Sequence, residues 1–591
     1  MTSISVRVVE KNIPTYTWAD YEELPMFAKN RIHQRLSGDP YPNRVVNKVR
    51  RDELKDRSYA VIELENEFIK LEIIPELGGR IFSALDKKTG YYFFYRQHVI
   101  KPALIGMMGL WISGGLEFNW PVHHNPATFF PVESQIEKQS NGIVTVWLGS
   151  RDLIDRLEGQ IGIRMYPGRA YFETSMKITN TNPIPKSFMW WENAAVPVHE
   201  GYEVFFPHDV SYVDFHYKKT RGSFPVMGSY FNTADNRGGN DIRKHKNTTS
   251  ATSYFCGLTK GDFFGGWDNR EKAGVIHYAP HQTSTGAKMF TWGYGQIGRA
   301  WEKTLTDTDG PYAELMASSY SDNQPDLTWL EPFETKEFSQ YWYPYSSIGT
   351  VDCANLNMAV RLTEEKLLVY PTFTIKQAVI EAEGTMITTD LTAAESMEIA
   401  IPGLTEESRI TVYDNNKEVI FDYERSENNH EVPDPIEDYP YPDEIGNSQE
   451  CYLTGLHVAQ YRDPKITCEP YYKKGLQLQK DSWPCMAGLA RFYIERLNYT
   501  EAERYAREAV TVLTRYNENP RETEVYTLLG LALKEQDRFD EAYEYLKKAV
   551  WNRSQITTAG LLIAQIDCIR GDYKKAEKNL LWLLKYSGII M

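Results

Sequence analysis

Hydrophobic and polar positions alternate along the chain up to about residue 350, the pattern of strands with one face in a core. The clearest run, YAVIELENEFIKLEIIPELGGRIFSALDKKTGYYFFY, begins at Tyr59 and has turn residues at Glu65-Asn66, Gly78-Gly79 and Lys88-Thr89-Gly90. Further short strands follow, and helical periodicity is almost absent over roughly 300 residues. Many consecutive strands without intervening helices predict a large antiparallel β-sandwich.

The pattern changes twice after this region. KLLVYPTFTIKQAVIEAEG, SMEIAIPG and SRITVYDNNKEVIFDYE predict a small separate β module, and SENNHEVPDPIEDYPYPDEIGNSQE is an acidic, Pro-rich linker. Helical segments follow the linker. The predicted organisation is an N-terminal arm at 1–50, a β-sandwich at 51–350, a small β module at 351–425, a linker at 426–464 and helical repeats at 465–591.

The helical segments align with one another. Their equivalent alanines are 40 and 34 residues apart, and an aromatic residue lies three positions before each alanine. The residues concerned are Ala502, Ala542 and Ala576 with Tyr499, Phe539 and Tyr573. This pattern resembles the tetratricopeptide repeat, a helix pair with a period of about 34 residues, and the longer spacing fits an insertion around RYNENPRE. Because LLWLLKYSGIIM adds no polar capping helix, we expect this end to contact a second copy in a homo-oligomer, a protein partner or the β body.

Composition and charge exclude several classes of protein. A net charge of −15 argues against nucleic acid as a partner, because no basic stripe exists to neutralise phosphates. No run reaches the ~18 apolar residues that span a membrane. The start, MTSISVRVVEKNIPTYTW, lacks the basic and apolar regions of a secretory signal, and the six cysteines are scattered. These features predict a cytoplasmic protein with reduced thiols.

The segment WISGGLEFNWPVHH, from Trp111 to His124, concentrates polar and aromatic residues. If its centre is extended, Glu117, Asn119 and His123 share one face and the intervening residues point to the other. An acid, an amide and an imidazole on one face suit the floor of a sugar-binding cleft, and Gly114-Gly115 suits close packing. The alternative is a surface strand whose polar face meets water.

A family resemblance extends over essentially the whole chain. LEIIPELGGRIFSALDKKTGYYFFY resembles the opening of the galactose mutarotase-like superfamily, with its Pro75, its Gly78-Gly79 turn and its Asp86-Lys87-Lys88-Thr89-Gly90 turn. GGLEFNWP and WENAAVP fit a branch that joins such a domain to a small β module and tetratricopeptide repeats. The resemblance implies a β-supersandwich with a concave, sugar-binding face.

The resemblance is incomplete at the expected active site. Aldose 1-epimerases of the superfamily use a histidine acid and a glutamate base, and their usual His-Gly-x-x-Arg motif is missing here. At a comparable place the chain has Glu117 and the pair His123-His124. The departure puts plain epimerase chemistry in doubt.

Glycoside cleavage needs two carboxyl groups that flank the anomeric carbon. Besides Glu117, the sequence contains Glu314. Strand alternation places the small apolar residues of its strand on the inward face and Glu314 on the other face. In MWWENAAVPVHE, Glu192 and Asn193 fall on opposite faces, so strict alternation allows only one of them in the cleft. The hypothesis favours Glu192 there, as a substitute for either of the other two acids.

Other side chains are candidates for binding the sugar. Tryptophans offer flat faces for stacking on sugar rings, and histidines can bind hydroxyls or move protons. The candidate tryptophans are Trp111, Trp120, Trp190, Trp267 and Trp292. The candidate polar residues are Asn119, His123, His124, Asn193, His199, Asp268, His277, Arg299, Glu302 and Asn323. For several of them a structural role is equally compatible with the sequence: Asp268 and Asn323 could shape turns, and Arg299 could pair with an acid.

Two further classes of site are not predicted. No metal-ligand spacing such as HExxH occurs, so no metal is expected. The segment Gly293 to Gly298 matches G-x-G-x-x-G, but no βαβ unit surrounds it, so no dinucleotide cofactor is expected, and its glycines are interpreted as a loop at the cleft edge.

Three hypotheses about function remain open. The first is an intracellular glycoside hydrolase that uses Glu117 and Glu314. The second is an epimerase with His123 or His199 as acid and Glu314 as base. The third is a non-catalytic sugar-binding protein whose repeats recruit a partner.

Overall fold

The structure is a computed structural model. It describes residues 3–20, 46, 48–105, 110–122, 128–228, 230–232, 234–235, 241–425, 431–462 and 466–586. Strands fill the described part of the chain up to residue 425, and helices fill most of the remainder.

The strands of the N-terminal β region are short and follow one another with few helical interruptions. In chain order they are β1 Ser5–Trp18, β2 Val49–Glu65, β3 Ile69–Ile74, β4 Arg80–Asp86, β5 Ala103–Leu104, β6 Leu110–Trp111, β7 Leu116–Asn119, β8 Glu133–Lys138, β9 Val144–Arg151, β10 Leu157–Met165, β11 Phe172–Asn180, β12 Lys186–Phe188, β13 Trp190–Pro197, β14 Tyr202–Phe205, β15 Tyr212–Asp214, β16 Arg221–Ser223, β17 Tyr230–Phe231, β18 Ala234–Asp235, β19 Thr252–Cys256, β20 Phe263–Asp268, β21 Ala273–Tyr278, β22 Ala287–Thr291, β23 Tyr312–Ser319, β24 Thr328–Leu330 and β25 Thr335–Ser346.

Two large antiparallel sheets contain most of these strands. The first sheet has the order β1-β2-β3-β4-β7-β13-β23-β22-β19-β15-β16, and the second has the order β14-β20-β21-β25-β11-β10-β9-β8. Apolar residues of both sheets form one continuous core, which includes Leu116, Ala194 and Leu315 from the first sheet and Ile163 and Trp342 from the second. The predicted β-sandwich is therefore confirmed.

The first strand lies where the sequence predicted only an arm. β1 pairs with β2 along nearly its whole length, from Ser5 opposite Glu65 to Trp18 opposite Val49. This pairing makes β1 the edge strand of the first sheet. Alternating side chains of β1 pack on the sheet; Ile13 is buried and Val8 is exposed.

A small β module follows the sandwich and has its own core. Its strands are β26 Cys353–Ala354, β27 Met358–Thr363, β28 Lys366–Pro371, β29 Ile375–Ala382, β30 Thr385–Leu391, β31 Met397–Ala400, β32 Ile410–Tyr413 and β33 Val419–Tyr423. They form two four-stranded sheets, β26-β27-β28-β31 and β30-β29-β32-β33. The apolar faces of these two sheets meet in a separate cluster that includes Val360, Ile380 and Val412.

Among the described residues, one α-helix lies within the β region, the next lies inside the segment 426–464 that was predicted to be a linker, and the other helices follow that segment. In chain order the helices are α1 Gln296–Leu305, α2 Ser448–Tyr461, α3 Glu469–Leu478, α4 Trp483–Glu495, α5 Tyr499–Leu513, α6 Glu524–Lys534, α7 Phe539–Ala549, α8 Ile556–Ile569 and α9 Tyr573–Tyr586. Small buried residues lie where the later helices cross, as Ala502, Ala542 and Ala576 do. The predicted helical array is confirmed.

The first helix of the array lies against the β-sandwich. Gln460 Nε2 donates a hydrogen bond of 2.6 Å to the carbonyl of Leu327, and the Tyr461 hydroxyl donates one of 2.6 Å to Asp326. Arg462, which ends α2, forms an ion pair with Asp155 of the sandwich. These contacts fix α2 to the loop between β23 and β24 and to the loop between β9 and β10.

Membrane-spanning helices and metal clusters are both missing from the described residues. None of the helices given above is both long and apolar enough to cross a membrane. Within the same described residues, no three His, Cys, Asp or Glu side chains are grouped so that they could hold a metal ion.

Candidate carboxylate site

The candidate site lies on the face of the first sheet that is turned away from the second sheet. Side chains that are opposite one another on neighbouring strands share a face. The register pairs Glu117 of β7 with Asn193 of β13, and Ala195 of β13 with Glu314 of β23. Strand alternation then places Glu117, Asn193 and Glu314 on one face, as the sequence predicted for Glu117 and Glu314.

Glu117 is buried among groups that favour its ionised form. Trp111 Nε1 donates to both carboxylate oxygens, at 3.2 and 3.0 Å, and the Arg80 guanidinium lies 3.8 Å from Oε2. Burial raises the pKa of Glu117 above its ordinary value, and Arg80 and the hydrogen bonds from Trp111, Thr128 and Asn193 offset only part of that rise. Glu117 therefore sits in a pocket where its negative charge has a cation and several donors.

A tight glycine turn supports this pocket. Gly114 and Gly115 precede Glu117 and both have positive φ, 94° and 66°. A Cβ on Gly115 would lie 2.0 Å from the carbonyl oxygen of Ile81, so no larger residue fits. The carbonyl of Gly114 accepts a hydrogen bond from Arg80, so the turn also holds the guanidinium.

Asn193 links the two carboxyl groups. Its Nδ2 lies 3.4 Å from Glu117 Oε2, and its amide also lowers the pKa of Glu314 by hydrogen bonding. Strands β7 and β23 lie on either side of β13, so their backbones are about 10 Å apart. Both glutamates lie on the same face as Asn193, and the charge of Glu117 acts on Glu314, so their carboxyl groups converge over the central strand.

Glu314 differs from Glu117 in its surroundings. The Tyr312 hydroxyl donates a hydrogen bond of 3.2 Å to Glu314 Oε1, and Trp292 Nε1 donates one of 3.0 Å to that hydroxyl. Burial raises the pKa of Glu314, the nearby charge of Glu117 raises it further, and Lys288 lowers it. The two carboxyl groups of the site therefore have different electrostatic environments.

A lysine and a histidine extend the site across the sheet. Lys288 lies on β22, on the same face, and its Nζ donates a hydrogen bond of 2.8 Å to Gln324 Oε1. Burial lowers the pKa of Lys288, and Glu314 opposes the change. His216 lies nearby, with Nδ1 at 3.2 Å from the Gln324 carbonyl and Nε2 at 3.0 Å from the Ser253 hydroxyl. Burial lowers the pKa of His216 to about 3, so this imidazole is neutral.

The prediction that Glu192 faces the cleft is wrong. Glu192 points between the two sheets, where its carboxylate accepts hydrogen bonds from Trp342 Nε1, at 2.6 Å, and from the Thr174 hydroxyl. Burial raises its pKa to about 7. Both faces of β13 are covered, so burial alone does not distinguish them. Glu192 lies on the face that meets the second sheet, and Asn193 lies on the face of the site.

The candidate tryptophans divide between the site and the core. Trp111 and Trp292 lie beside Tyr312 in a small cluster at the site. Trp120, Trp190 and Trp267 belong to the core between the sheets, so their predicted role as stacking surfaces in the cleft is wrong. The six-membered ring of Trp120 occupies the space above Gly159 of the second sheet, and Trp190 stacks on Phe118 at 5.8 Å.

The candidate histidines have other partners or lie outside the described residues. Gly201 N donates to His199 Nδ1, so Nε2 carries the proton and donates to Asp268 at 2.6 Å. Asp268 also accepts the backbone N–H groups of Arg270 and Glu271, which makes it a turn residue. His277 is buried against Trp342 in the core, where desolvation lowers its pKa to about 3, so its predicted place in the cleft is wrong. His123 and His124 lie outside the described residues.

The remaining candidates have mixed positions. Asn119 is buried on the same face as Glu117, opposite Trp191. Arg299 and Glu302 lie on helix α1, where the sequence predicted a loop; Arg299 is exposed and Glu302 is half-buried. Asn323 is buried, and its amide group holds the backbone: Oδ1 accepts from Tyr217 N, and Nδ2 donates to the Phe215 carbonyl.

The two cations of the site were not predicted from the sequence. Arg80 directly follows the Gly78-Gly79 turn, and Lys288 is the second residue of the strand AKMFT. Burying a charged residue in an apolar strand costs free energy unless the charge is paired. A charged residue among apolar ones is therefore the sequence signal by which both cations could have been found. Their partners Glu117 and Glu314 lie 37 and 26 residues further along the chain, so no local sequence pattern links either cation to its carboxyl group.

The N-terminal region matches a known family model. Residues 39–345, more than half of the chain, match the family described as Domain of unknown function (DUF5107). The chain belongs to the DUF5107 family. Residues 484–550 of this DUF5107 protein match the Tetratricopeptide repeat model, as their helical spacing predicted.

Solved structures similar to the DUF5107 chain include one that covers nearly all of it. A TPR-domain containing protein from Parabacteroides distasonis is 18% identical, covers 98% of this chain and 92% of its own, and has a TM-score of 0.50. A galactose mutarotase-like protein from Lactobacillus casei is 11% identical over 48% of this chain and 100% of its own, with a TM-score of 0.33. A putative aldose 1-epimerase from Klebsiella pneumoniae is 9% identical over 48% of this chain and 79% of its own, with a TM-score of 0.33. At 18% identity the likeness to the Parabacteroides distasonis protein is one of fold.

Proposed function

We propose that this chain is a carbohydrate-active enzyme that acts at the anomeric centre of a sugar, and that its reaction is glycoside hydrolysis. The observation that carries the proposal is that Glu117 and Glu314 lie on one face of the sheet, on the two strands that flank Asn193, where the charge of Glu117 acts on Glu314. Two carboxyl groups that converge from strands on either side of a third can flank one bond. Glycosidases use carboxyl pairs separated by about 5 to 9.5 Å.

The environments of the two carboxyl groups suggest their roles. Glu314 has its pKa raised by burial and by the charge of Glu117, which favours the protonated form and suits a general acid for the leaving oxygen. Glu117 faces Arg80 and accepts from Trp111 with both oxygens, and these contacts offset part of the rise in its pKa that burial causes, which suits a base or nucleophile. Different environments for paired acids are a common arrangement in hydrolases.

Other groups at the site are suited to hold a sugar. Asn193 Oδ1 and Trp191 Nε1 are buried without a hydrogen-bond partner among the described residues. Buried polar atoms are rarely left unpaired in folded proteins, so a ligand hydroxyl is a suitable partner for each. A sugar as substrate is also what the superfamily resemblance of the N-terminal motifs implies.

Hydrolysis can be tested with a panel of aryl glycosides and oligosaccharides. We expect release of the aglycone by the wild type and a loss of about 10²-fold or more in Glu117→Gln and in Glu314→Gln. Glu192→Gln is the matched control, because it removes a buried carboxylate from the same sheet on its opposite face, and it should retain activity.

The same experiment distinguishes the alternatives. Exchange of the anomers of a free sugar, followed by NMR and without cleavage of any glycoside, would identify an epimerase. Sugar binding with neither reaction would identify a non-catalytic binding protein. Hydrolysis that persists in both Glu117→Gln and Glu314→Gln would reject this carboxyl pair.

A further inference from the structure

A second cavity lies between the β-sandwich and the first helices of the repeats, with a volume of about 330 Å³. Its floor is the two-stranded ribbon β12–β24, in which Ser187 and Trp329 are cross-strand partners. Residues of α2, α3 and α4 form its walls, and neither Glu117 nor Glu314 lines it. The cavity is therefore distinct from the carboxylate site.

The floor of the cavity combines an aromatic ring and a hydroxyl. Cross-strand partners project from the same face of a ribbon, so the Trp329 indole and the Ser187 hydroxyl lie side by side. Trp329 is half-buried, which leaves part of its ring open to the cavity. A flat apolar face beside polar groups is the surface on which the C–H face of a sugar ring packs.

The charges around the cavity occur in pairs. Arg462 forms an ion pair with Asp155 and donates from Nε to the Ser187 hydroxyl at 3.1 Å. Lys186 lies 3.0 Å from Glu495 and 3.7 Å from Asp155. The lining therefore offers donors and acceptors next to one another without a strong excess of either charge.

One donor in the wall has no partner within the described residues. Arg491 on α4 bonds Glu524 through Nη2, but its Nε is buried and makes no hydrogen bond there. A buried N–H group normally has an acceptor. A ligand hydroxyl in the cavity is a suitable acceptor.

We infer that this cavity is a second binding site, and that its ligand is a neutral mono- or disaccharide. A sugar hydroxyl can accept a hydrogen bond from Arg462 and donate one to Asp155. The apolar face of a pyranose ring can pack on the Trp329 indole. The volume lies at the small end of ligand cavities. A phosphate or carboxylate ligand would meet Asp155 and Glu495 as well as the cations, so the balance of charge disfavours it. The inference does not depend on the proposed hydrolysis.

Saturation-transfer NMR and calorimetry with maltose, cellobiose and lactose test the inference on the full chain. We expect at least one of these sugars to bind, with affinity lowered tenfold or more by Trp329→Ala and partly restored by Trp329→Phe. Trp551→Ala is the matched control, because Trp551 lies on the repeats and is 70% exposed, and it should not change binding. Melting temperatures of all variants should be compared to detect misfolding.

The result separates this site from the carboxylate site. Binding that survives Glu117→Gln but is lost in Trp329→Ala supports the inference. Binding that is lost in Glu117→Gln and unchanged in Trp329→Ala would place the sugar in the carboxylate site and overturn the inference, while leaving the proposed hydrolysis intact. Failure of all three sugars to bind at millimolar concentration, or binding of glucuronate or inorganic phosphate in their place, would also overturn it.

Discussion

The guanidinium of Arg80 lies 3.8 Å from the Glu117 carboxylate, and each side chain is only 2% exposed. Removing two ions from water costs free energy that only their mutual attraction and hydrogen bonds can offset. Arg80 has such a bond to the Gly114 carbonyl, and Glu117 has two from Trp111. The Glu117 carboxylate therefore depends on Arg80 and on these donors to hold its charge away from water.

Removal of Arg80 should destabilise the fold. Arg80→Met leaves the Glu117 charge buried without its cation, and breaking a buried pair in this way costs about 3–5 kcal/mol. The free energy of unfolding, measured by urea denaturation of both proteins, gives the difference. Arg409→Met breaks an exposed pair with Asp422 and should leave stability unchanged within error. Equal stability of Arg80→Met and wild type would contradict the buried ion pair.

Glu192 should make stability depend on pH. Its pKa is raised to about 7 in the folded protein from an ordinary 4.5, so the folded state holds its proton more tightly than the unfolded state. The stability that the protonated Glu192 contributes is fully present below pH 4.5 and is lost as pH rises through about 7. The difference between these two pKa values corresponds to about 3 kcal/mol in the free energy of unfolding.

Glu192→Gln isolates this effect, because glutamine does not titrate. The stability of wild type minus that of the variant should fall by about 3 kcal/mol between pH 4.5 and pH 8. Chemical denaturation at each pH gives the difference directly. A difference that stays constant with pH would show that Glu192 is not a buried, protonated acid.

Lys288 should control the pH dependence of the reaction. Its positive charge lowers the pKa of Glu314, so Lys288→Met should raise that pKa. If Glu314 is the general acid, activity is lost as pH rises through its pKa, and the alkaline limb of the kcat/KM profile should move to higher pH in Lys288→Met. Lys366→Met, at an exposed position of the small β module, should leave the limb in place. Movement to lower pH would contradict the role of Glu314 as acid.

The glycine turn before Glu117 should tolerate no side chain. Gly115→Ala places a Cβ 2.0 Å from the Ile81 oxygen, whereas Gly168→Ala meets nothing within 4 Å. Both positions have positive φ, 66° and 72°, so both variants carry about 1–2 kcal/mol of backbone strain. The additional overlap at Gly115 should cost about 1–3 kcal/mol more. Similar melting temperatures for the two variants would show that the turn is not tightly packed.

The fold was predictable because each level of the sequence pattern points to the same structure. Alternation along β23 predicts that Glu314 points to one face of the sheet and that Ala313 and Leu315 point to the other, and the structure shows this arrangement. The spacing of Ala502, Ala542 and Ala576 predicts the repeats. Helix α1 was missed because it is a single short helix of ten residues among strands.

The site was only partly predictable, because burial on both faces removes the signal of alternation. All residues of β13 from Trp190 to Val196 are buried, so the sequence cannot tell which face belongs to the core. This is why Glu192 was assigned to the cleft and Asn193 was the residue found there. Trp190 and Trp267 were misassigned for the same reason, since an aromatic residue suits a core as well as a sugar platform.

The most direct test of the carboxyl pair is the structure of the Glu314→Gln variant with an uncleaved oligosaccharide substrate. We expect the amide introduced at position 314 to lie within hydrogen-bonding distance, about 2.6–3.2 Å, of the glycosidic oxygen. We also expect the Glu117 carboxylate to lie next to the anomeric carbon or to a water beside it. A sugar whose anomeric carbon lies away from both side chains would contradict the assignment of Glu117 and Glu314 as the carboxyl pair.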